Sequence, residues 1–302
     1  MGDRTGALRR LIEAELDLET PPAFRALAEA VHERHAAAAI GVLFYGSCLR
    51  TGEDRDQVAD FYLIVARYGP TYGNPLMAFA NRLLPPNVFY IEVPFEDRRV
   101  RAKYAIVSLG HLEALVAPQT LQPYFWARFS QPMRLLWVCD ETGRQRLVEA
   151  LSRAVATTAE SVRALDGRPE AVFERAFRES YATELRPESG ERAAALYRFD
   201  QDRYRRIAAI LFPAEETEPR RDGRAAKRAR ARWRRRRLVG KALSVLRLTK
   251  AAFTFKDGAS YLLWKIERHS GVRHELTPWQ QRHPILASSV VFWQLYRKGA
   301  FR

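Results

Sequence analysis

Two short polar motifs stand at the ends of apolar runs in the first third of the chain. Gly46 and Ser47 directly follow the run Ile40–Tyr45, and Asp60 lies thirteen residues after Ser47, at the start of the next run. Glycine lets the backbone approach a nucleotide phosphate, and serine offers a hydroxyl group and an N–H to phosphate oxygens. A carboxylate at a strand edge can hold Mg²⁺. The spacing therefore predicts a site for the magnesium-bound phosphates of a nucleotide.

This arrangement is similar to the layout of the nucleotidyltransferase superfamily, but the residues permit a plainer interpretation. A Gly-Ser pair and a distant acid are also compatible with a simple turn between strands and a solvated aspartate. The usual second carboxylate, two residues after Asp60, is here Tyr62. A two-metal mechanism needs more than one carboxylate. An inactive fold of the same type therefore stays open.

The surrounding pattern indicates a mixed α/β fold followed by helices. Apolar runs rich in β-formers predict five strands: Ile40–Tyr45, Val58–Val65, Val88–Val93, Arg101–Val107 and Arg134–Val138. Helical spacing predicts helices over 5–17, 22–35, 109–116 (capped by Ser108), 143–165, 169–185 and 189–211. We expect an α/β domain with N-terminal helices over 1–140, a helical domain over 141–219 and a basic amphipathic region over 220–302. Pro213–Asp222 is the expected linker between the last two.

Further segments resemble the mitochondrial-type phosphatidate cytidylyltransferase (CDP-diacylglycerol synthase) family. They are, in chain order, Tyr45–Ser47, Val58–Val65, Val88–Tyr90, Lys103–Ser108, Ala127–Pro132 and Tyr181–Arg186. Ala105 and Ala127 stand where that family has glycine, and Glu184 stands where it has aspartate. The resemblance implies a nucleotidyltransferase-type fold that transfers a cytidylyl group from CTP to phosphatidate and releases pyrophosphate, with Mg²⁺ as the cofactor.

The resemblance also implies roles for individual residues. It makes Asp60 and Glu184 the catalytic and Mg²⁺-binding carboxylates, Gly46, Ser47 and Lys103 the nucleotide-binding residues, and Arg128 and Arg186 the residues that hold the substrate phosphate. Structural alternatives remain for three of them. Glu184 is equally compatible with an ion pair to Arg186 or Arg192, Lys103 with a surface lysine, and Arg128 with a stacked structural arginine.

The net charge of +15 is concentrated near the C-terminus, since residues 220–241 hold 12 of the 50 Lys and Arg residues and a single acid, Asp222. A near-neutral body with a strongly basic region predicts a polyanionic partner. Arg234, Arg235, Arg236 and Arg237, with Trp264 as an interfacial anchor, favour an anionic membrane surface. Nucleic acid is the weaker alternative, because aromatic residues for base stacking are sparse in the basic run.

Several classes of protein are disfavoured. Only two cysteines occur, Cys48 and Cys139, which argues against a disulfide framework or a cysteine-based zinc site. No continuous apolar segment approaches the length of a transmembrane helix. We therefore expect a cytoplasmic protein, peripheral on the inner face of a membrane. Another nucleotidyltransferase, or an inactive fold that binds membrane or nucleic acid, remains as an alternative function.

Overall fold

The five predicted strands form one mixed sheet in the computed structural model, which confirms the α/β class. The structure describes residues 2–55, 57–165, 171–185, 189–213 and 223–254, with isolated positions between 277 and 297. The strands are β1 (Ala39–Tyr45), β2 (Ala59–Val65), β3 (Asn87–Phe95), β4 (Arg98–Ser108) and β5 (Arg134–Val138). The predictions for β3 and β4 were too short, because a tight turn with Glu96 at φ 54° lets the two strands continue as a hairpin.

The order of the strands is β3-β4-β2-β1-β5, and only β2 and β4 run parallel. The register places Tyr45 opposite Asp60 on β1 and β2, and Asp60 opposite Lys103 on β2 and β4. The end of β1 that leads into the Gly-Ser pair is therefore next to the beginning of β2 and the middle of β4. Residues from three separate segments of the sequence meet at this point of the sheet.

Alternation along the strands divides the buried residues between the two faces of the sheet. Phe44, Phe61 and Tyr104 belong to one core, which also contains side chains of the second helix. Leu43 and Tyr62 belong to the other core, which most of the helices cover. Asp60 is two residues before Tyr62 on β2, and Lys103 is two residues before Ala105 on β4, so both lie on this second face.

Helices cover both faces. They are α1 (Gly2–Leu16), α2 (Pro22–Arg34), α3 (Ser47–Thr51), α4 (Tyr68–Thr71), α5 (Pro75–Leu83), α6 (Leu109–Leu115), α7 (Pro123–Phe129), α8 (Glu141–Glu160), α9 (Val172–Tyr181), α10 (Ser189–Phe199), α11 (Gln201–Leu211) and α12 (Gly223–Thr254). The predicted Ser108 cap of α6 is confirmed, since its hydroxyl accepts from the His111 N–H. Sequence patterns missed α3, α4, α5 and α7, which are too short to show helical periodicity. The region predicted as one helix over 189–211 is two helices that meet at Asp200.

One buried core crosses the boundary predicted at residue 140. It includes Phe129 from the α/β part, Phe177 from the helical part and Trp233 from the basic region. The indole N–H of Trp233 also donates to the Ser161 carbonyl at 3.0 Å. The three predicted segments therefore pack around shared side chains. Most of the expected linker, 214–222, lies outside the described residues.

None of the helices in the described ranges is long and apolar enough to cross a membrane.

Candidate functional site

The Asp60 carboxylate faces the Gly46-Ser47 bend. Gly46 has φ +95°, a conformation that side-chain-bearing residues rarely adopt, and a Cβ at this position would lie 2.9 Å from Asp60 Oδ2. Glycine is therefore required twice here, once by the backbone and once by the carboxylate beside it. Ser47 begins α3 with an exposed side chain. The sequence prediction that the bend and the acid lie together agrees with this geometry.

Lys103 pairs with Asp60 across the parallel strands β2 and β4. Its Nζ lies 3.2 Å from Asp60 Oδ1, and the two side chains are 31% and 30% exposed. The pair is therefore open to solvent and to a ligand. An ion pair this exposed contributes at most about 1 kcal/mol to stability. Asp60 Oδ2 therefore faces the glycine bend, and Asp60 Oδ1 faces the Lys103 ammonium.

Tyr62 takes a structural position. It is fully buried, its ring stacks on Tyr45 with centroids 5.0 Å apart, and it packs against Phe129 at 4.5 Å. Burial raises the pKa of the Tyr62 hydroxyl well above its usual value, and nearby Tyr124 adds to the shift. An ionised, metal-binding form of this residue is therefore disfavoured. The position of the usual second acid is filled by a core side chain.

Arg128 and Glu184 form a buried two-pronged ion pair. The Arg128 Nη1 and Nη2 atoms lie 2.8 and 3.1 Å from the two Glu184 carboxylate oxygens, with side chains 7% and 8% exposed. Burial alone would lower the pKa of Arg128, but the charge of Glu184 holds it well above its usual value. Glu184 therefore pairs with Arg128, although the family resemblance implied a separate role for Arg128 in holding the substrate phosphate. The arginine also stacks 3.8 Å from the centre of the Tyr124 ring.

The buried pair adjoins the Asp60 region through two tyrosines. Burial raises the pKa of Tyr45, the negative charge of Asp60 raises it further, and the positive charge of Arg128 lowers it. Arg128 also lowers the pKa of Tyr62, which stacks on Tyr45. Tyr45 also lies opposite Asp60 in the strand register and stacks on Tyr62, so we treat these groups as one candidate site.

Arg247 on α12 is a further cation of this site that the sequence analysis missed. Its guanidinium lies 4.5 Å from the centre of the Tyr124 ring, and Nη2 donates to Gln122 Oε1 at 2.6 Å. Burial lowers the pKa of Arg247, and so does the charge of Arg128. Two guanidinium groups thus share one aromatic ring, with Glu184 as the acid of the cluster. No pattern near Arg247 could have singled it out from the other basic residues.

Lys250, one turn after Arg247, is also directed at the body. Its Nζ donates to the carbonyls of Leu84 and Pro86, the latter at 2.8 Å. Burial lowers the pKa of Lys250 to about 8, and the charge of Arg247 contributes. Arg247 Nε donates to the neighbouring Pro85 carbonyl at 3.0 Å. Basic side chains of α12 therefore bind main-chain oxygens of the body.

The four arginines predicted at the membrane have different environments. Arg234 and Arg235 are exposed, in agreement with a surface role. Arg236 is only 2% exposed and lies between Trp126 and Trp233, with ring-centre distances of 4.5 and 4.8 Å. The prediction is wrong for Arg236, because helical periodicity places it on the inner face of α12 with Trp233.

Arg237 is half-buried and forms an ion pair with Glu179. It therefore connects α12 to α9, while part of its side chain stays exposed to solvent. Arg186 and Trp264 lie outside the described residues. Within the part of the chain that the structure describes, no group of three or more His, Cys, Asp or Glu side chains could hold a metal ion. Glu184 stays a predicted metal ligand, but both its oxygens accept hydrogen bonds from Arg128.

The chain was compared with protein-family models and with curated proteins. No protein-family model matches the chain. A search of curated proteins likewise finds no match.

Proposed function

We propose that this protein transfers a cytidylyl group from CTP to phosphatidate at a membrane surface, giving CDP-diacylglycerol and pyrophosphate. The observation that carries the proposal is the convergence of the Gly46-Ser47 bend, the Asp60 carboxylate and the Lys103 ammonium beside the first residues of the central strand β2. The motif order described above supports the nucleotidyltransferase-type fold and the choice of nucleotide and acceptor.

The nucleotide side of the reaction uses the bend and the lysine. Gly46 permits close approach of the triphosphate, and the exposed Ser47 hydroxyl donates to its oxygens. Lys103 is a compact cation in the same place, able to exchange its contact with Asp60 for a phosphate oxygen. These groups hold the triphosphate so that its α-phosphorus faces the acceptor.

A single, partly exposed carboxylate fits a magnesium ion that is held chiefly by its substrate. Mg²⁺ commonly binds one or two carboxylates together with substrate phosphates and water. Asp60 would supply the protein ligand, and Glu184 would do so only after release from Arg128. When bound, the ion neutralises charge on the triphosphate.

The acceptor side uses the guanidinium cluster. Arg128 and Arg247 on the Tyr124 ring would attract the phosphate of phosphatidate, and Arg186 keeps its predicted role there. An oxygen of that phosphate attacks the α-phosphorus, one P–O bond forms, and the bond between the α-phosphorus and the β-phosphate oxygen breaks. Pyrophosphate leaves with the bonding electron pair. Because the attacking phosphate is already an anion, positioning and charge neutralisation supply the catalysis.

The decisive experiment is a screen of nucleotides against acceptors with purified full-length protein, Mg²⁺ and vesicles. We expect pyrophosphate release only with CTP and phosphatidate, and its loss in Asp60→Asn. Asp97→Asn is the matched control, because that acid is exposed and lies in the β3–β4 turn. Release with another nucleotide or acceptor would replace the proposed substrates. No release with any combination would contradict the enzymatic function.

The charge pairing in the site favours one alternative, an inactive fold that serves as a binding module. Asp60 is paired with Lys103 and Glu184 with Arg128, so both predicted metal ligands have a cationic partner. Such a module would bind its partner equally well after Asp60→Asn. It would lose that partner when the exposed Arg234 and Arg235 are neutralised. Vesicle flotation and nucleic-acid gel shift, each at several salt concentrations, separate the two kinds of partner.

A further inference from the structure

A row of exposed apolar side chains lies along helix α5. Leu76, Phe79 and Leu83 are 70%, 62% and 74% exposed. Their spacing of three and four residues puts them on one side of the helix. The opposite side is anchored in the body, where Met77 and Asn81 are buried. We call this row the α5 face. Because the opposite side of the helix is buried, the α5 face points toward solvent.

The C-terminal end of α5 leads directly to α12. The residues that directly follow α5, Leu84 to Pro86, accept hydrogen bonds from Arg247 and Lys250. On the same stretch of α12, Leu246 and Leu248 are 54% and 66% exposed. Each of the two helices thus carries exposed apolar side chains, and basic side chains of α12 stabilise the junction between them.

The charged side chains of α5 and α12 are all of one sign. Neither α5 nor the 32-residue α12 contains an aspartate or glutamate. A groove of about 740 Å³ beside α5 is lined by Phe79 and by the cations Arg67 and Arg82. Apolar side chains bordered by arginine and lysine are what an anionic bilayer surface binds, since the apolar groups enter the interface and the cations contact headgroups.

We propose that α5 is a second membrane-contacting element, which inserts Leu76, Phe79 and Leu83 into an anionic lipid surface beside α12. This inference rests on the proposed function in one respect, because it makes the bilayer the source of the lipid acceptor. It explains how the body itself, and not only its basic helix, is oriented on the membrane. The site that contains Arg247 would then lie close to the lipid headgroups.

The first test is vesicle flotation of the full chain with equal parts phosphatidylcholine and phosphatidylglycerol. The triple variant L76S/F79S/L83S should bind about tenfold more weakly or worse, because its apolar contribution is removed. At high salt, where the charge contribution is screened, the wild type should retain binding that the variant loses. The control L18S/F199S removes exposed apolar side chains elsewhere and should bind normally.

A second test reports insertion directly. Phe79→Cys is made with Cys139→Ser, since Cys139 is exposed and Cys48 is buried, and is labelled with an environment-sensitive fluorophore. We expect a blue shift on addition of the anionic vesicles. An unchanged spectrum, or wild-type vesicle binding by the triple variant, overturns the proposal. A triple variant that binds vesicles normally but loses self-association assigns the face to a second copy of the chain and also overturns it.

Turnover of a water-soluble short-chain phosphatidate distinguishes the two proposals. The triple variant should retain this activity while losing vesicle binding. Loss of vesicle binding in a protein inactive toward every acceptor would support the α5 face and contradict the transferase.

Discussion

Lys103 lies directly opposite Asp60 on the neighbouring parallel strand, with Nζ 3.2 Å from Oδ1. The pair is about one-third exposed, so its main consequence is electrostatic and not structural. In the free protein each charge is neutralised by the other. A bound triphosphate would give the lysine a second anionic partner and leave the aspartate for a cation.

Replacing this lysine should separate binding from stability. Lys103→Met should change the free energy of unfolding by less than about 1 kcal/mol, because an exposed pair contributes little. Nucleotide binding should weaken by about tenfold or more, since a cation on the triphosphate is lost. Calorimetric titration with CTP and urea unfolding measure the two effects. Arg99→Met, a more exposed cation on the same strand, is the control and should leave nucleotide affinity unchanged.

Gly46→Ala should destabilise the protein and displace Asp60. The new Cβ would lie 2.9 Å from Asp60 Oδ2, at a backbone conformation unsuited to alanine. Gly52→Ala is a close control, because Gly52 also has positive φ, +72°, but nothing lies within 4 Å of its Cβ position. In both variants, backbone strain should lower the free energy of unfolding by about 1 kcal/mol or more. Only Gly46→Ala should also abolish CTP-dependent pyrophosphate release, and equal activity of the two variants would contradict the close approach.

The Arg128–Glu184 pair should make a large contribution to stability that is independent of metal. Glu184→Gln leaves a buried guanidinium without its counter-charge, so we expect a loss of about 3–5 kcal/mol in unfolding free energy. Thermal unfolding with Mg²⁺ and with a chelator should show the same loss. A loss that appears only with Mg²⁺ would instead make Glu184 a metal ligand. Glu174→Gln, in an exposed pair with Arg178, is the control and should have little effect.

Lys250 should make stability depend on pH above neutrality. Burial lowers its pKa from 10.5 to about 8, so between these values the unfolded chain binds more protons than the folded one. The free energy of unfolding contributed by this group must therefore rise with pH across that window. Urea unfolding from pH 7 to 11 should show the rise in wild type and lose this part in Lys250→Met. Lys241→Met, an exposed lysine on the same helix, should keep the wild-type slope.

Gly240 should be essential for the packing of α12. An added Cβ would lie 2.7 Å from Thr183 Cβ and 2.8 Å from its carbonyl oxygen, next to Glu184. Gly240→Ala should therefore cost about 1–3 kcal/mol in unfolding free energy, although alanine favours helix. Gly223→Ala, at the start of the same helix with open space around it, should be neutral or slightly stabilising. Urea unfolding of the two variants checks the difference, and equal stability would contradict the contact.

The Gly-Ser pair and Asp60, which meet beside the start of β2, were predictable because their positions follow from local rules. Alternating apolar residues predict strands, and the ends of those strands carry the Gly-Ser pair and Asp60. The match of Lys103 to a family motif marked it as a candidate, and strand register brought it to Asp60. The short helix α5 was not predictable, since its nine residues have only two buried positions and an outward apolar row.

The amino-acid sequence alone determined the α/β class, the concentration of positive charge near the C-terminus and the candidate residues on β1, β2 and β4. Which charges pair follows from the packing of the folded chain. Arg128 and Glu184 are 56 residues apart, and Arg247 and Gln122 are 125 apart. Arg236 is buried while its neighbours Arg234 and Arg235 are exposed. The physical reason is that identical side chains on one helix differ only in which face the body covers, and that depends on packing between distant segments.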